Sequence, residues 1–181
     1  MICTINDQYF LRPLRPTDAD ELQMLANNRN IWLNVRDVFP HPYTLKDAHE
    51  FIDKVKNDDP PNVLAIATME RFLGCIGLTF NQDIHRVTAE LGYWIGESYW
   101  RKGIASISVK RFVKYGFDTF DITRIQAGVL EWNRSSMRVL EKCGFTLDGI
   151  FRQAVIKDGR ICDYFIYSIL KERLTVTATP K

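Results

Sequence analysis

The chain has 181 residues, 46% hydrophobic and 25% charged, which is enough apolar material for one well-cored globular domain and too little for two of ordinary size. Its 24 Lys and Arg against 22 Asp and Glu leave a formal charge of +2, so the charge profile is not that of a nucleic-acid binder or a membrane-surface protein, and any anion site must be local. Four cysteines (Cys3, Cys75, Cys143, Cys162) with no C-x-x-C pair and three scattered histidines make no zinc set, and the longest apolar run, "VLAIATM" at 63–69, is too short to span a bilayer.

The expectation is a soluble, reduced, cytoplasmic protein with no metal, whose cysteines are buried small thiols. "MICTINDQYF" has no basic segment followed by an apolar run, so no targeting segment is expected. In chain order, "QYFLRPLR" alternates as a strand, and Thr17 with Asp20 predicts a helix N-cap ahead of "ELQMLANN". "YTLKDAHEFIDKVKND" repeats the device, with Thr44 capping and Asp47 three residues on. Its Ala48, Phe51, Ile52 and Val55 form a stripe at helical spacing, and "DDPPN" ends it. "NVLAIATM" and "RFLGCIGLTF" read as two strands joined by a short turn at Glu70 and Arg71.

"VTAELGYWI", 87–95, is apolar on both faces and predicts a central strand. A helix from Gly103 to 117 carries Ala105, Val109, Phe112, Val113 and Gly116 in one stripe and leaves Lys110, Arg111 and Lys114 to solvent. "RIQAGVLE" is the next strand. "NRSSMRVLEKCGF" opens on Asn133 as cap and stops at Gly144, which suits a positive-φ position. "TLDGIFRQAVI" and "RICDYFIYSIL" flank "KDGR", a hairpin signal, and residues after 172 read as a loose tail. The order is strand, two helices, three strands, helix, strand, helix, two strands. This predicts an α/β fold with a mixed sheet and a β-α-β unit over 87–130, whose ligands favour the carboxyl ends of the strands.

At that place stands "YWRKGIASISVKRF", 99–112, with Arg101, Lys102 and Gly103 at the mouth of a helix. A helix start leaves about four backbone N–H groups without intrahelical partners and carries roughly half a positive charge. Gly103 and the small Ala105 let a phosphate approach the backbone, and Arg101 and Lys102 add charge. A solvated turn accounts for the same residues equally well.

The pairing of "ELGYWIGESYWRKGIA" with "EWNRSSMRVLEKCGFTLDG", separated by a helix and a strand, resembles the GNAT superfamily of acetyl-CoA-dependent N-acetyltransferases. More narrowly it resembles the ribosomal-protein alanine and serine N-terminal acetyltransferases. The resemblance covers about residues 8–172 and implies a GNAT-like single domain over 1–181. Its central mixed β-sheet has about six to seven strands flanked by helices, with splayed parallel strands holding the coenzyme. It implies that "WRKGIA" is the coenzyme loop, the amides from Arg101 through Lys102, Gly103, Ile104 and Ala105 to Ser106 holding the acetyl-CoA diphosphate. Trp100 replaces the usual Gln or Arg. The pantetheine arm would hydrogen-bond unpaired backbone around Trp94, Ile95 and Gly96, and Asn133 would contact the coenzyme or anchor nearby backbone.

For catalysis, an amine attacks a thioester carbonyl, which calls for a neutral amine, a stabilised oxyanion and a proton for the thiolate. Glu90, on the predicted central strand, is the candidate base; an ion pair with Arg124 is its structural alternative. The resemblance places the group's serine acid at Ser136, a position that is also an ordinary first-turn polar residue. Two positions depart from the family pattern: Leu140 stands where many members have a tyrosine acid, and Val155 where the ribosomal-protein group has a glutamate. Asp163 on the final strand reads as a surface ion pair or as a group that attracts a substrate amine, His41 and His49 as exposed, and Trp32, Phe39, Tyr43 and Tyr93 as either core or an acceptor pocket.

The acceptor is expected to be a small-molecule or peptide primary amine, including a protein N-terminal α-amine, with no nucleic-acid or membrane partner. A homodimer is a family expectation. The competing classes are a non-catalytic acyl-CoA sensor, an enzyme for polyamines, amino acids or antibiotics, and a nucleotide-binding module, for which no P-loop or dinucleotide string is present.

Overall fold

The computed structural model describes residues 3–4 and 8–172, so the expected tail from 173 onward and the side chain of Cys3 lie outside the described residues. The elements are β1 (Cys3–Thr4), β2 (Phe10–Arg12), α1 (Ala19–Ala26), α2 (Arg29–Trp32), α3 (Leu45–Val55), β3 (Val63–Ala67), β4 (Phe72–Phe80) and β5 (Thr88–Ile95). They continue with α4 (Ile104–Thr119), β6 (Arg124–Leu130), α5 (Arg134–Lys142), β7 (Thr146–Lys157) and β8 (Arg160–Leu170). The strands belong to one mixed sheet of eight, the two-residue β1 being the addition to the predicted set. The chain forms two compact units, Met1–Gly77 with Tyr93–Ser108, and Leu78–Gly92 with Val109–Lys181.

In the first unit the strand order is β1-β2-β3-β4, all antiparallel. Ala48, Ile52 and Val55 of α3 and Leu22 and Ala26 of α1 share one core with Tyr43, Ala65 and Phe72. Full burial of a side chain such as Ile52 contributes about 1.5–3 kcal/mol, so this apolar stripe is what holds α3 in place. The predicted capping box is present: Thr44 Oγ1 accepts from the Asp47 amide at 3.2 Å and Asp47 Oδ2 from the Thr44 amide at 2.7 Å.

The predicted Thr17 cap is not formed. Thr17 lies inside a 3-10 turn, Pro16–Asp18, because Asp18 is buried against Arg12 in a bidentate pair, both bonds 2.7 Å, and also accepts from the Arg15 amide at 2.8 Å. A buried guanidinium requires such a carboxylate, and satisfying it bends the chain before α1 begins. The four-residue α2 has no counterpart in the predicted set; Asn28 makes it, its Oδ1 accepting from the Asn30 and Ile31 amides.

In the second unit the order is β5-β6-β8-β7. β6 lies parallel to β5 and antiparallel to β8, which explains its buried Ile125, Ala127, Val129 and Leu130. From α4, Val109, Phe112, Val113 and Phe117 are buried, with Lys110, Arg111 and Lys114 exposed as the periodicity predicts. Asp158 and Gly159, at φ 52° and 74°, make the two-residue turn between β7 and β8 that needs left-handed backbone at both positions. The ladder between β5 and β6 pairs Thr88 with Arg124, Ala89 with Ile125 and Glu90 with Gln126, while β6 runs on to Leu130.

Candidate active site

In the first unit β5 ends at Ile95, and the chain turns through a 3-10 segment, Glu97–Tyr99, into α4. Arg101 at φ 61° and Gly103 at φ 76° are both left-handed. The Gly103 carbonyl accepts the first helical bond, from the Ile107 amide at 3.2 Å, so Gly103 is the residue that caps α4. Among the described residues, no protein acceptor receives the amides of Lys102, Gly103, Ile104 or Ala105. A Cβ on Gly103 would meet nothing within 4 Å, so the space beside this residue is open, and its positive φ favours glycine. Arg101, Lys102 and Gly103 are exposed, Ile104 is buried, and Ala105 and Ser106 are half-buried. Lys102 Nζ lies 5.5 Å from the Tyr99 ring centroid, a cation–π contact beside the bare amides.

Two anchors hold the turn. Trp100 is 41% exposed, so burial is not its main role; its indole N–H donates to the Ile95 carbonyl at 2.7 Å. Glu97 accepts from the side-chain amides of Asn28 at 2.7 Å and Asn30 at 3.0 Å, and these bonds hold its carboxyl below its usual range. Where the family has a polar Gln or Arg, Trp100 keeps one donor, the indole N–H, and that single donor was the available signal. The expectation of unpaired backbone at Ile95 and Gly96 is corrected. The Ile95 carbonyl takes the Trp100 indole, the Gly96 amide donates to the Leu73 carbonyl at 2.8 Å, and the Gly96 carbonyl accepts from the Tyr99 amide at 2.9 Å. Trp94 packs against Phe72 and Phe39, with centroids 5.9 and 5.7 Å apart, and Phe39 against Tyr43 at 4.9 Å. Tyr43 is core, with burial raising its phenol pKa. Trp32 is half-buried and stacks on the exposed His41 at 5.4 Å.

In the second unit Glu90 sits half-buried on β5 at the last rung of the β5–β6 ladder. Arg124, its imagined partner, instead donates to Asp148 at 2.5 Å and Ser168 at 3.0 Å. Asn133 caps α5, its Oδ1 accepting from the Ser136 amide at 3.1 Å. That bond uses the backbone of Ser136 and fixes the first turn that carries its half-buried hydroxyl. Asp163 is ion-paired with Arg152 as the sequence predicts. Cys75, Cys143 and Cys162 are buried and form no disulfide among the described residues. Burial raises all three thiol pKa values, that of Cys143 to about 11, so none is an activated thiolate for a covalent acyl intermediate.

Residues 8–146 match the acetyltransferase (GNAT) domain family, so the chain belongs to the GNAT acetyltransferases. It is 31% identical over 168 residues to the probable N-acetyltransferase YjcK of Bacillus subtilis, covering 89% of this chain and 93% of that one. It is 25% identical to the putative ribosomal N-acetyltransferase YdaF of Bacillus subtilis, over 93% and 94% of the two chains. Among solved structures, spermidine N-acetyltransferase from Vibrio cholerae with CoA and spermine superposes with a TM-score of 0.79 at 26% identity, covering 94% of this chain and 99% of that one. The protein is an acetyl-CoA-dependent N-acetyltransferase. No described helix is long and apolar enough to cross a membrane.

Proposed function

We propose that this enzyme, acting as one domain, seats the diphosphate of acetyl-CoA on the amides from Arg101 to Ser106 and transfers the acetyl group directly to a primary amine, by preference a protein or peptide N-terminal α-amine. The observation that carries the seat is the run of amides from Lys102 to Ala105 without protein acceptors, at the positive end of a 16-residue helix, with the Gly103 Cβ direction open. Arg101 and Lys102 supply charge, and Trp94, Ile95 and Gly96 flank the acyl arm. Asn133 holds the first turn of α5. Ser136 gives its proton to the departing thiolate, and Glu90 takes the amine proton through water.

Amine chemistry supports the acceptor. A lysine-type amine with pKa near 10.4 is neutral about once in a few thousand molecules at pH 7, whereas an α-amine near 7.7–8.0 is neutral about once in ten. A site without a strongly basic side chain therefore suits an α-amine, and the relative named as a ribosomal N-acetyltransferase favours the same class. The second reading is a polyamine acceptor, favoured by the likeness to spermidine N-acetyltransferases. Thiol release from acetyl-CoA across peptides, polyamines, aminoglycosides and amino acids decides: turnover highest with peptides supports the α-amine reading, and turnover confined to spermidine or spermine overturns it.

A further inference from the structure

The second unit carries a depression of about 410 Å³ immediately beyond the carboxyl end of β6. Resting on the acetyltransferase reading above, we propose that it is an anion subsite for the acceptor, taking a carboxylate or phosphate carried by the amine substrate and disfavouring polyamines.

Position comes first. Glu131 and Trp132 line the depression and directly follow Leu130, the last residue of β6, one of the two parallel strands, and ligands of such sheets gather beyond those carboxyl ends. The next residue, Asn133, caps the helix that bears Ser136, so one short segment, 131–136, carries both the wall of the depression and the proposed acid.

Charge comes second. Arg134, Arg152 and Arg160 line the depression against Glu131 and Asp163, leaving a surplus of one positive charge. All four carboxylate oxygens are occupied. Glu131 accepts from Arg160 at 2.6 Å and from the Asp163 amide at 3.1 Å; Asp163 accepts from Arg152 at 2.5 Å and from the Gln153 amide at 2.9 Å. The Gln153 amide reaches Asp163 where the β7–β8 register shifts, with Gln153 at φ 50°. An ammonium ion entering here finds each carboxylate oxygen already holding a donor and meets three guanidinium groups.

Arg134 differs from the other two arginines. Its guanidinium lies 5.7 Å from the Phe165 centroid and donates to Met137 Sδ at 3.7 Å, with no carboxylate partner among the described residues. Its planar fork is held by an aromatic face on one side, with further donors left for a carboxylate or phosphate. Arg160 is oriented in the same way, 5.1 Å from the Trp132 centroid.

The test uses acceptors matched except in charge: Ala-Asp-amide, Ala-phosphoserine-amide, the neutral Ala-Asn-amide, and spermidine. Thiol release gives kcat/KM, and calorimetry with CoA present gives affinity without turnover. The subsite predicts about a tenfold advantage of an anionic over the neutral peptide, the size of one charge-assisted hydrogen bond, and the weakest use of spermidine. The aspartyl and phosphoseryl arms separate carboxylate from phosphate. Arg134→Gln brings the anionic-to-neutral ratio to about one, and Arg134→Lys keeps part of it. If Arg134→Gln does not fold, the lysine variant and the loss of the wild-type preference at high salt decide. A wild-type preference for spermidine or the neutral peptide, or a ratio unchanged in Arg134→Gln, overturns the subsite. Anion preference in calorimetry without any thiol release overturns the acetyl-transfer reading and leaves the subsite standing.

Discussion

The proposed coenzyme loop of the first unit and the arginine-rich depression of the second are both suited to anions, and they are built from different materials. The loop presents backbone N–H groups from Lys102 to Ala105, fixed by two left-handed residues and two side-chain anchors. The depression presents guanidinium groups oriented by aromatic rings and by carboxylates already in use. A backbone seat has no side chain to vary, so it suits an invariant ligand such as a diphosphate. A side-chain seat changes with one substitution, so it suits the part of a reaction in which related enzymes differ.

The largest expected effect tests whether the second region carries chemistry as well as selection. Ser136→Ala should lower kcat by about 100-fold with little change in acetyl-CoA affinity, the loss belonging to a proton donor; intact turnover removes the acid role. The cap bond is kept, because Asn133 accepts from the Ser136 backbone.

Gly103→Val tests the backbone seat. A β-branched residue at φ 76° is strained by about 1–2 kcal/mol, and its side chain adds bulk beside the proposed seat. With the lost contacts, CoA affinity by calorimetry should fall by about 30- to 100-fold. Unchanged affinity would show that the diphosphate sits elsewhere.

Trp100→Phe keeps the ring and removes the indole N–H that holds the Ile95 carbonyl. One neutral hydrogen bond is worth about 1 kcal/mol, so acetyl-CoA KM should rise about fivefold. Acetyl-pantetheine, which lacks the diphosphate, should be used as well as by wild type; a loss shared by both carriers would break the distinction between seat and arm.

The smallest effect is on acid stability. The Gln153 amide and Arg152 hold the Asp163 carboxyl below its ordinary 3.8, so its contribution is present above that value and is lost as pH falls through the depressed folded value. Thermal melts of wild type and Asp163→Asn should therefore differ most near neutral pH and converge as pH falls below the depressed folded value; a constant gap would mean that the ionised carboxylate is not what matters.

Most of the fold was legible because its signals are local. The stripe of α3, the Thr44 box, the Asp158–Gly159 turn and the stop at Gly144, with φ 90°, each depend on residues within one or two turns of one another. The failures came from burial and from shortness. Thr17 lost its cap to the buried Arg12–Asp18 pair, and α2 escaped notice because one asparagine caps four residues without an apolar period.

The sequence by itself determined the order of the longer elements, the glycine at the mouth of α4 and the membership of a family, since a motif written on consecutive residues needs only local geometry. Tertiary structure alone decided that Trp100 ties off Ile95, that Arg124 serves Asp148, and that residues from the turn after β6, from α5, β7 and β8 line one depression with a guanidinium to spare. The reason is physical: a side chain's charge partner is chosen by which strands pair and where their register shifts, and residues 131, 152 and 163 become neighbours only once β7 folds back on β8 and β8 on β6.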